Sequence, residues 1–183
     1  MQSLHNGPLL HAGIDRFWAM IPDQYKECGA KAEEGYLFSQ TFDHHNNPTV
    51  QIQRGPFAQQ FDYTMPRVIK CLADYGHDVV VDTIITDNAR LCDYAKVLQQ
   101  HTVYFVGVVC DLEELERRER ERGNRILGLA RGQLDFVHQH KNYYDLIIDS
   151  TYCDPTTSAQ KILDFIRETP APQGFKTIVK KPL

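Results

Sequence analysis

No apolar run in this 183-residue sequence reaches the length that crosses a bilayer. No basic excess marks a face for nucleic acid or anionic lipid either, since 20 lysines and arginines stand against 24 aspartates and glutamates, a formal net charge of -4. The five cysteines, Cys28, Cys71, Cys92, Cys110 and Cys153, are odd in number and contain no C-x-x-C pair. That pattern argues against a disulfide framework or a zinc site and for reduced thiols, most of them small core residues. His44-His45 and His138-x-His140 lack a Glu-x-x-His or cysteine partner at ligand spacing and are expected on the surface or in the core. Met1 to His11 has neither the basic nor the apolar region of a signal peptide, and no internal repeat occurs. These absences lead to the expectation of one soluble, cytoplasmic domain of ordinary size, with neither nucleic acid nor membrane as partner.

What is present is an alternation of strand and helix. Leu9 to Ile14 reads as a strand with Asp15 at its tip, and Asp78 to Asp82 as a second, with Asp82 at its end. Val103 to Cys110 is apolar almost without a break, which suits a strand buried on both faces of a parallel sheet, and Tyr144 to Asp149 makes a last strand. Between them lie helical patterns from Phe57 to Ala73, which Pro66 is expected to kink or divide, from Ala89 to Leu98, and from Asp154-Pro155 to Ile166. Asp23 to Arg54 has no sustained period beyond a brief strand at Val50 and Ile52, and reads as an excursion of loops and short helix over a substrate site. The expected fold is α/β, a three-layer parallel sheet flanked by helices, over residues 1–168. Residues 169–183 read as an exposed tail in which Phe175 to Val179 pairs only if a sheet edge accepts it.

The most distinctive stretch follows the third strand. Asp111 and Glu114 stand in capping-box spacing, acidic residues lead and Arg117, Arg118, Arg120 and Arg122 follow, and Gly123 ends the helix. A second helical pattern begins past Arg125, so Arg118, Arg122 and Arg125 gather at one corner that can close over phosphate. The alternative is a solvated helix whose Glu and Arg residues pair at i,i+4.

Taken together, Gly13-Ile14-Asp15, Arg54-Gly55-Pro56, Val80-Val81-Asp82, Val106 to Asp111, Arg118-Glu119, Arg122-Gly123-Asn124-Arg125, Gly128, Gln133, Val137-His138 and Tyr144-Asp145 resemble the chloramphenicol phosphotransferase-like P-loop kinases. The resemblance runs colinearly from Met1 to about Thr151, and Val106 to Gln133 is its specific part. It departs at one place: that family opens with a strand and a Gly-x-x-x-x-Gly-Lys-Ser/Thr loop that holds the phosphates of ATP, and no such sequence occurs here. The absent strand would be the central one, between the strands ending in Asp82 and Cys110. Its loss would leave a slot roughly 9.5 Å wide lined by unpaired backbone. The expectation is therefore that Met1 is an internal methionine of a longer chain, against the alternative of a natural remnant.

The resemblance implies an ATP-dependent O-phosphotransferase acting on a small hydroxylated compound, an antibiotic among the options, inactive without the phosphate loop. Asp15 would then be the base that accepts the substrate hydroxyl proton, and Asp82 the carboxylate that reaches Mg²⁺. Either Asp is equally suited to capping a helix. Arg118, Arg122 and Arg125 would form a lid over the ATP phosphates, Arg125 acting in catalysis, while Arg54, Phe57 and Trp18 would shape the acceptor pocket. Two other readings stay open, a non-catalytic binding or interaction protein without a phosphate loop, and a nucleoside or shikimate-type kinase. A homo-oligomer also stays open, because the slot can recruit a neighbour's strand.

Overall fold

A computed structural model describes residues 1–123 and 126–181, the side chain of Asp135 excepted. Leu9–His11 forms β1 and Ile14–Trp18 the short α1; Lys26–Glu27 (β2), Tyr36–Phe42 (β3) and Pro48–Arg54 (β4) follow. Next come α2 (Pro56–Asp74), β5 (Asp78–Val80), α3 (Asn88–Val97), β6 (Val106–Val109), α4 (Leu112–Arg122), α5 (Leu129–Val137), β7 (Leu146–Asp149), α6 (Pro155–Glu168) and α7 (Gly174–Lys180). The fold is mixed α/β, with parallel strand pairs flanked by helices.

β1 pairs in parallel with β5, Leu9 opposite Asp78 and His11 opposite Val80. The ladder continues past both strands, where Ala12 N–H donates to the Val80 carbonyl at 2.9 Å and Ile14 N–H to the Asp82 carbonyl at 2.7 Å. β6 pairs in parallel with β7, from Val106 opposite Leu146 to Val109 opposite Asp149. Among the described residues no strand pairs with the other edge of β5 or of β6. Backbone groups alternate sides along a strand, so Val80 and Asp82, which face β1, leave Val79 and Val81 facing the bare edge. By the same alternation Phe105 and Val109 accept from Asp145 and Ser150, and Val106 and Val108 face away from β7. Apolar parallel strands are usually covered on both faces. Here Val108 is 52% and Ile147 50% exposed.

Two cores lie beside these pairs. The first joins Ala12 and Phe17 to Met65 and Ile69 of α2, to Leu91, Tyr94, Ala95 and Leu98 in and after α3, and to Phe175 and Ile178 of α7. Val79, Val81, Val103 and Phe105 pack against it. The second joins Ile21, Tyr36 and Ala58, with Trp18, Phe38, Ile52, Phe57 and Phe61 around them.

Several sequence expectations need correction. Residues 23–54 are not mainly loop: β3 and β4 form a full antiparallel hairpin, Tyr36 opposite Arg54 and Phe42 opposite Pro48, with β2 along its edge. The alternation of Val50 and Ile52 with Gln51 and Gln53 was its signal. Pro66 does not divide α2, because its ring is among the fully buried side chains and that packing offsets the missing N–H. Residues 174–180 are neither exposed tail nor strand but helix, with Phe175 and Ile178 buried in the first core. The Asp111–Glu114 capping box does not form, since the Glu114 carboxylate is taken by Arg117 and Arg118. None of the cysteines is fully buried, and Cys28 and Cys71 are exposed.

Asp145 explains why the C-terminal segment folds back. Its Oδ1 accepts the N–H groups of Gln173 at 2.7 Å and Gly174 at 2.8 Å, while Oδ2 accepts that of Phe105 at 2.9 Å. One carboxylate thus ties the start of α7 to the entry of β6. Asp145→Ala is expected to lower stability by about 2 to 3 kcal/mol, because charge-assisted bonds to backbone are lost, and to unseat Phe175. Urea unfolding with the same midpoint as the parent chain would contradict this.

Candidate active site

The β1–β5 pair joins the backbone before Asp15 to that of Asp82, the two carboxylates expected at strand tips, through the bond from Ile14 N–H to the Asp82 carbonyl. Gly13 leads into α1, Asp15 stands exposed in its first turn, and Asp82 stands exposed where its carbonyl accepts from Ile14. One helical turn after Asp15, the Trp18 ring lies 5.1 Å from that of Tyr36 and 5.7 Å from that of Phe38. On the opposite side Phe17 enters the first core. α1 therefore bridges the strand tips and the hairpin. Cross-strand pairing places Tyr36, Phe38, Gln40, Val50, Ile52 and Arg54 on one face of that hairpin, a floor on which Trp18 of α1 rests.

A buried carboxylate fixes this floor. Asp62, 5% exposed on α2, accepts the Tyr36 hydroxyl at 2.6 Å and the Arg90 guanidinium at 2.7 Å, and its Oδ2 lies 3.0 Å from Arg54 Nε. Arg90 also reaches Asp87 at 2.8 Å and the Thr86 hydroxyl at 2.9 Å, and Arg54 reaches the same hydroxyl at 3.3 Å. Burial first, then the bond to Asp62, pushes the Tyr36 phenol up, so it remains a neutral donor. Of the three residues expected at the acceptor, Arg54 and Trp18 meet this floor. Phe57 stacks on Phe61 at 5.8 Å and on Tyr25 at 5.2 Å as part of the second core. Asp62 itself was missed, although a carboxylate between Phe61 and Met65 on an apolar helix face signals a cationic partner.

The arginine corner resolves into separate roles. Arg118 donates to Glu114 at 2.7 Å and to the Ser150 carbonyl at 2.7 Å, so it is already held against the end of β7. Arg117 pairs with Glu114 and Glu121, as the solvated-helix alternative required. Arg117 and Arg118 together hold the Glu114 carboxyl down at about 2. Arg122 is exposed in the last turn of α4, before Gly123 with its φ of 64°. Arg125 and Asn124 lie outside the described residues.

Past the corner, α5 is seated by residues the sequence did not single out. Glu119, 6% exposed, accepts the N–H groups of Gly128 at 2.8 Å and Ala130 at 3.0 Å, capping α5. Arg131 joins Glu116 at 2.7 Å to Asp43 at 3.0 Å in the hairpin turn. A Cβ on Gly128 or Gly132 would come within 2.5 Å of the Pro48 carbonyl oxygen or 2.3 Å of that of Val50, so α5 rests directly on β4 backbone. Asp43 holds the turn by accepting from Asn47 and His45, contacts that with Arg131 keep its carboxyl well below the usual range.

A family model described as chloramphenicol phosphotransferase-like protein matches residues 1–167, and the chain belongs to that family. Two curated relatives from Mycobacterium tuberculosis, strains CDC 1551 / Oshkosh and ATCC 25618 / H37Rv, are both provisionally named O-phosphotransferases. Each is 27% identical over 172 residues, which is 94% of this chain and 76% of its own length. The nucleotide and metal that such a reaction uses do not fit the described residues by themselves. Arg118 is committed to protein groups, the sequence has no glycine-rich phosphate loop, and no cluster of three or more His, Cys, Asp or Glu able to hold a metal ion occurs among the described residues.

Two predictions follow from the joints around α5. Glu119→Ala is expected to cost about 2 to 3 kcal/mol through its two lost backbone bonds and to speed hydrogen exchange at the Gly128 and Ala130 amides; unaltered exchange there would remove the cap from the account. Because Asp43 is depressed in the folded chain, its contribution is complete above its ordinary value and lost as pH falls below it. Protection of the His45 and Asn47 amides should therefore be constant from about pH 8 to pH 5 and decline below about pH 4. A decline centred near neutrality would point to another group.

Proposed function

We propose that this chain carries the acceptor side of an ATP-dependent O-phosphotransferase for a small hydroxylated compound, antibiotics of the chloramphenicol type among them. The observation that supports this best is Asp15 at the strand tips, one turn from Trp18 and the Phe38–Arg54 floor. A cavity of about 230 Å³ on that floor, lined by Glu27, Cys28, Phe38, Gln40, Val50 and Ile126, suits one small acceptor. Asp15 would orient its hydroxyl and take the proton, a role that asks for position more than basicity.

The donor side is proposed to enter as one further parallel strand, with its phosphate loop, between the bare edges of β5 and β6. Val79 of β5 and Phe105, just before β6, both pack against the first core, and one strand would satisfy both rows of backbone groups. Asp82 toward a metal ion, and Arg122 and Arg125 toward phosphate, are assignments that belong with that element. Arg118 is less suited, being held already. Five unbridged thiols agree with a cytoplasmic setting. A second reading, a binding protein without catalysis, is favoured by the absence of a phosphate loop from the sequence.

ATP with Mg²⁺ is expected to bind the 183-residue chain no more tightly than roughly 1 mM. Fusing a strand and phosphate loop ahead of it should restore transfer to an alcohol, and Asp15→Asn in that fusion should lower kcat by about 10² or more. Tight ATP binding by the chain alone would contradict the division into sides. Equal turnover with Asp15→Asn would remove Asp15 as the base, and a fusion that binds ATP without transferring phosphate would favour the binding-protein reading.

A further inference from the structure

A second cavity lies away from the strand tips, at the entry of β6, where α7 closes over the end of α3. It measures about 150 Å³, and Leu98, Val103, Phe175 and Val179 give it apolar walls. Engineered apolar cavities of about this volume accept benzene, so one ring or a short branched chain fits. Its rim is cationic. Lys176 and Lys180, one turn apart on α7, both line the cavity, both are exposed, and neither has an ion-pair partner among the described residues. The remaining titratable group at the rim, His101, is occupied by Asp74 at 2.9 Å. Asp74 is thus turned to His101 and Lys70 rather than to the two lysines.

We propose that this cavity is a binding site for a small monocarboxylate with an apolar body, its ring or chain between Phe175 and Val103 and its carboxylate between Lys176 and Lys180. The chemistry selects the class. Apolar walls reject sugars and nucleotides, the volume rejects long acyl chains, and two cations on a single rim favour one anionic group over an alcohol of the same shape. The site is independent of the phosphotransferase reading, because it uses none of Asp15, Asp82 or the arginine corner. It is built partly from α7, so its ligand holds α7 against α3, whose first turn carries the Arg90 that grips Asp62. Binding therefore stabilises the C-terminal helix by linkage.

The test is titration of the 183-residue chain with benzoate and, separately, benzyl alcohol, followed by methyl NMR of Val103 and Val179 and by thermal unfolding. Benzoate should shift both valines saturably, raise the unfolding temperature and bind at least about tenfold more tightly than benzyl alcohol, a preference that shrinks at high salt. Lys176→Gln combined with Lys180→Gln replaces exposed side chains and should leave the fold intact while bringing benzoate down to the affinity of the alcohol. Equal affinity for the two probes in the parent chain, an unchanged benzoate preference in the double variant, or shifts confined to residues outside this cavity would overturn the proposal.

Discussion

A β-strand satisfies its backbone chiefly by pairing, and among the described residues two parallel pairs leave the outer edges of their strands, those of the apolar β5 and β6 included, without a partner strand. The position of every functional group depends on those pairs. β1 and β5 place Asp15 and Asp82 at the same end of one ladder, because it extends through Ile14 to Asp82. β6 and β7 set the root of α4 and so the direction of the arginine corner, with Arg118 anchored on Ser150 at the end of β7. Among the described residues no backbone pairing joins one pair to the other. Helices do that instead, above all α7, which Asp145 fastens to β6 and whose Phe175 and Ile178 enter the core beneath β5.

Two buried carboxylates complete the frame, and each works by filling its hydrogen-bonding capacity. A charge removed from water is costly until it is paired and bonded. Asp62 meets that condition with hydrogen bonds from Tyr36 and Arg90 and an ion pair with Arg54, and in doing so binds the hairpin floor to α2 and α3. Glu119 meets it with two backbone amides of α5, whose glycines then rest on β4. The hairpin floor is thus held from both ends, while Arg122 in the last turn of α4 is exposed. For the proposed transfer a fixed surface matters, since placing the reacting atoms supplies much of the rate.

The elements legible in the sequence were those with a local cause. Gly123 ends α4 because only a residue without Cβ takes its left-handed turn at no steric cost, and Asp154 with Pro155 starts α6 because cap and fixed φ agree. The apolar runs gave the parallel strands, although each proved shorter than its run. What escaped notice was set by distant partners. The hairpin floor is amphipathic only once α1 and α5 cover it, and Phe175 to Val179 suits strand or helix equally until the cavity beside α3 decides. Asp15, Asp82, Trp18 and Arg54 were expected from spacing and resemblance, and the structure places Trp18 and Arg54 at the hairpin face and Asp15 and Asp82 exposed after β1 and β5. Asp62, Glu119 and Arg131 were missed because each is defined by hydrogen-bonding partners from 9 to 88 residues away.

The account rests on the bare edges of β5 and β6 as the seat of one more strand. Amide hydrogen exchange at Val79, Val81, Val106 and Val108, compared with the amides of Val80 and Gly107 that face the paired sides, tests it most directly. The account predicts fast exchange at the first four in the 183-residue chain, and slow exchange once a strand bearing the phosphate loop is joined to it. Equal protection of all six amides in the chain alone would mean that the sheet is already closed, and would contradict it.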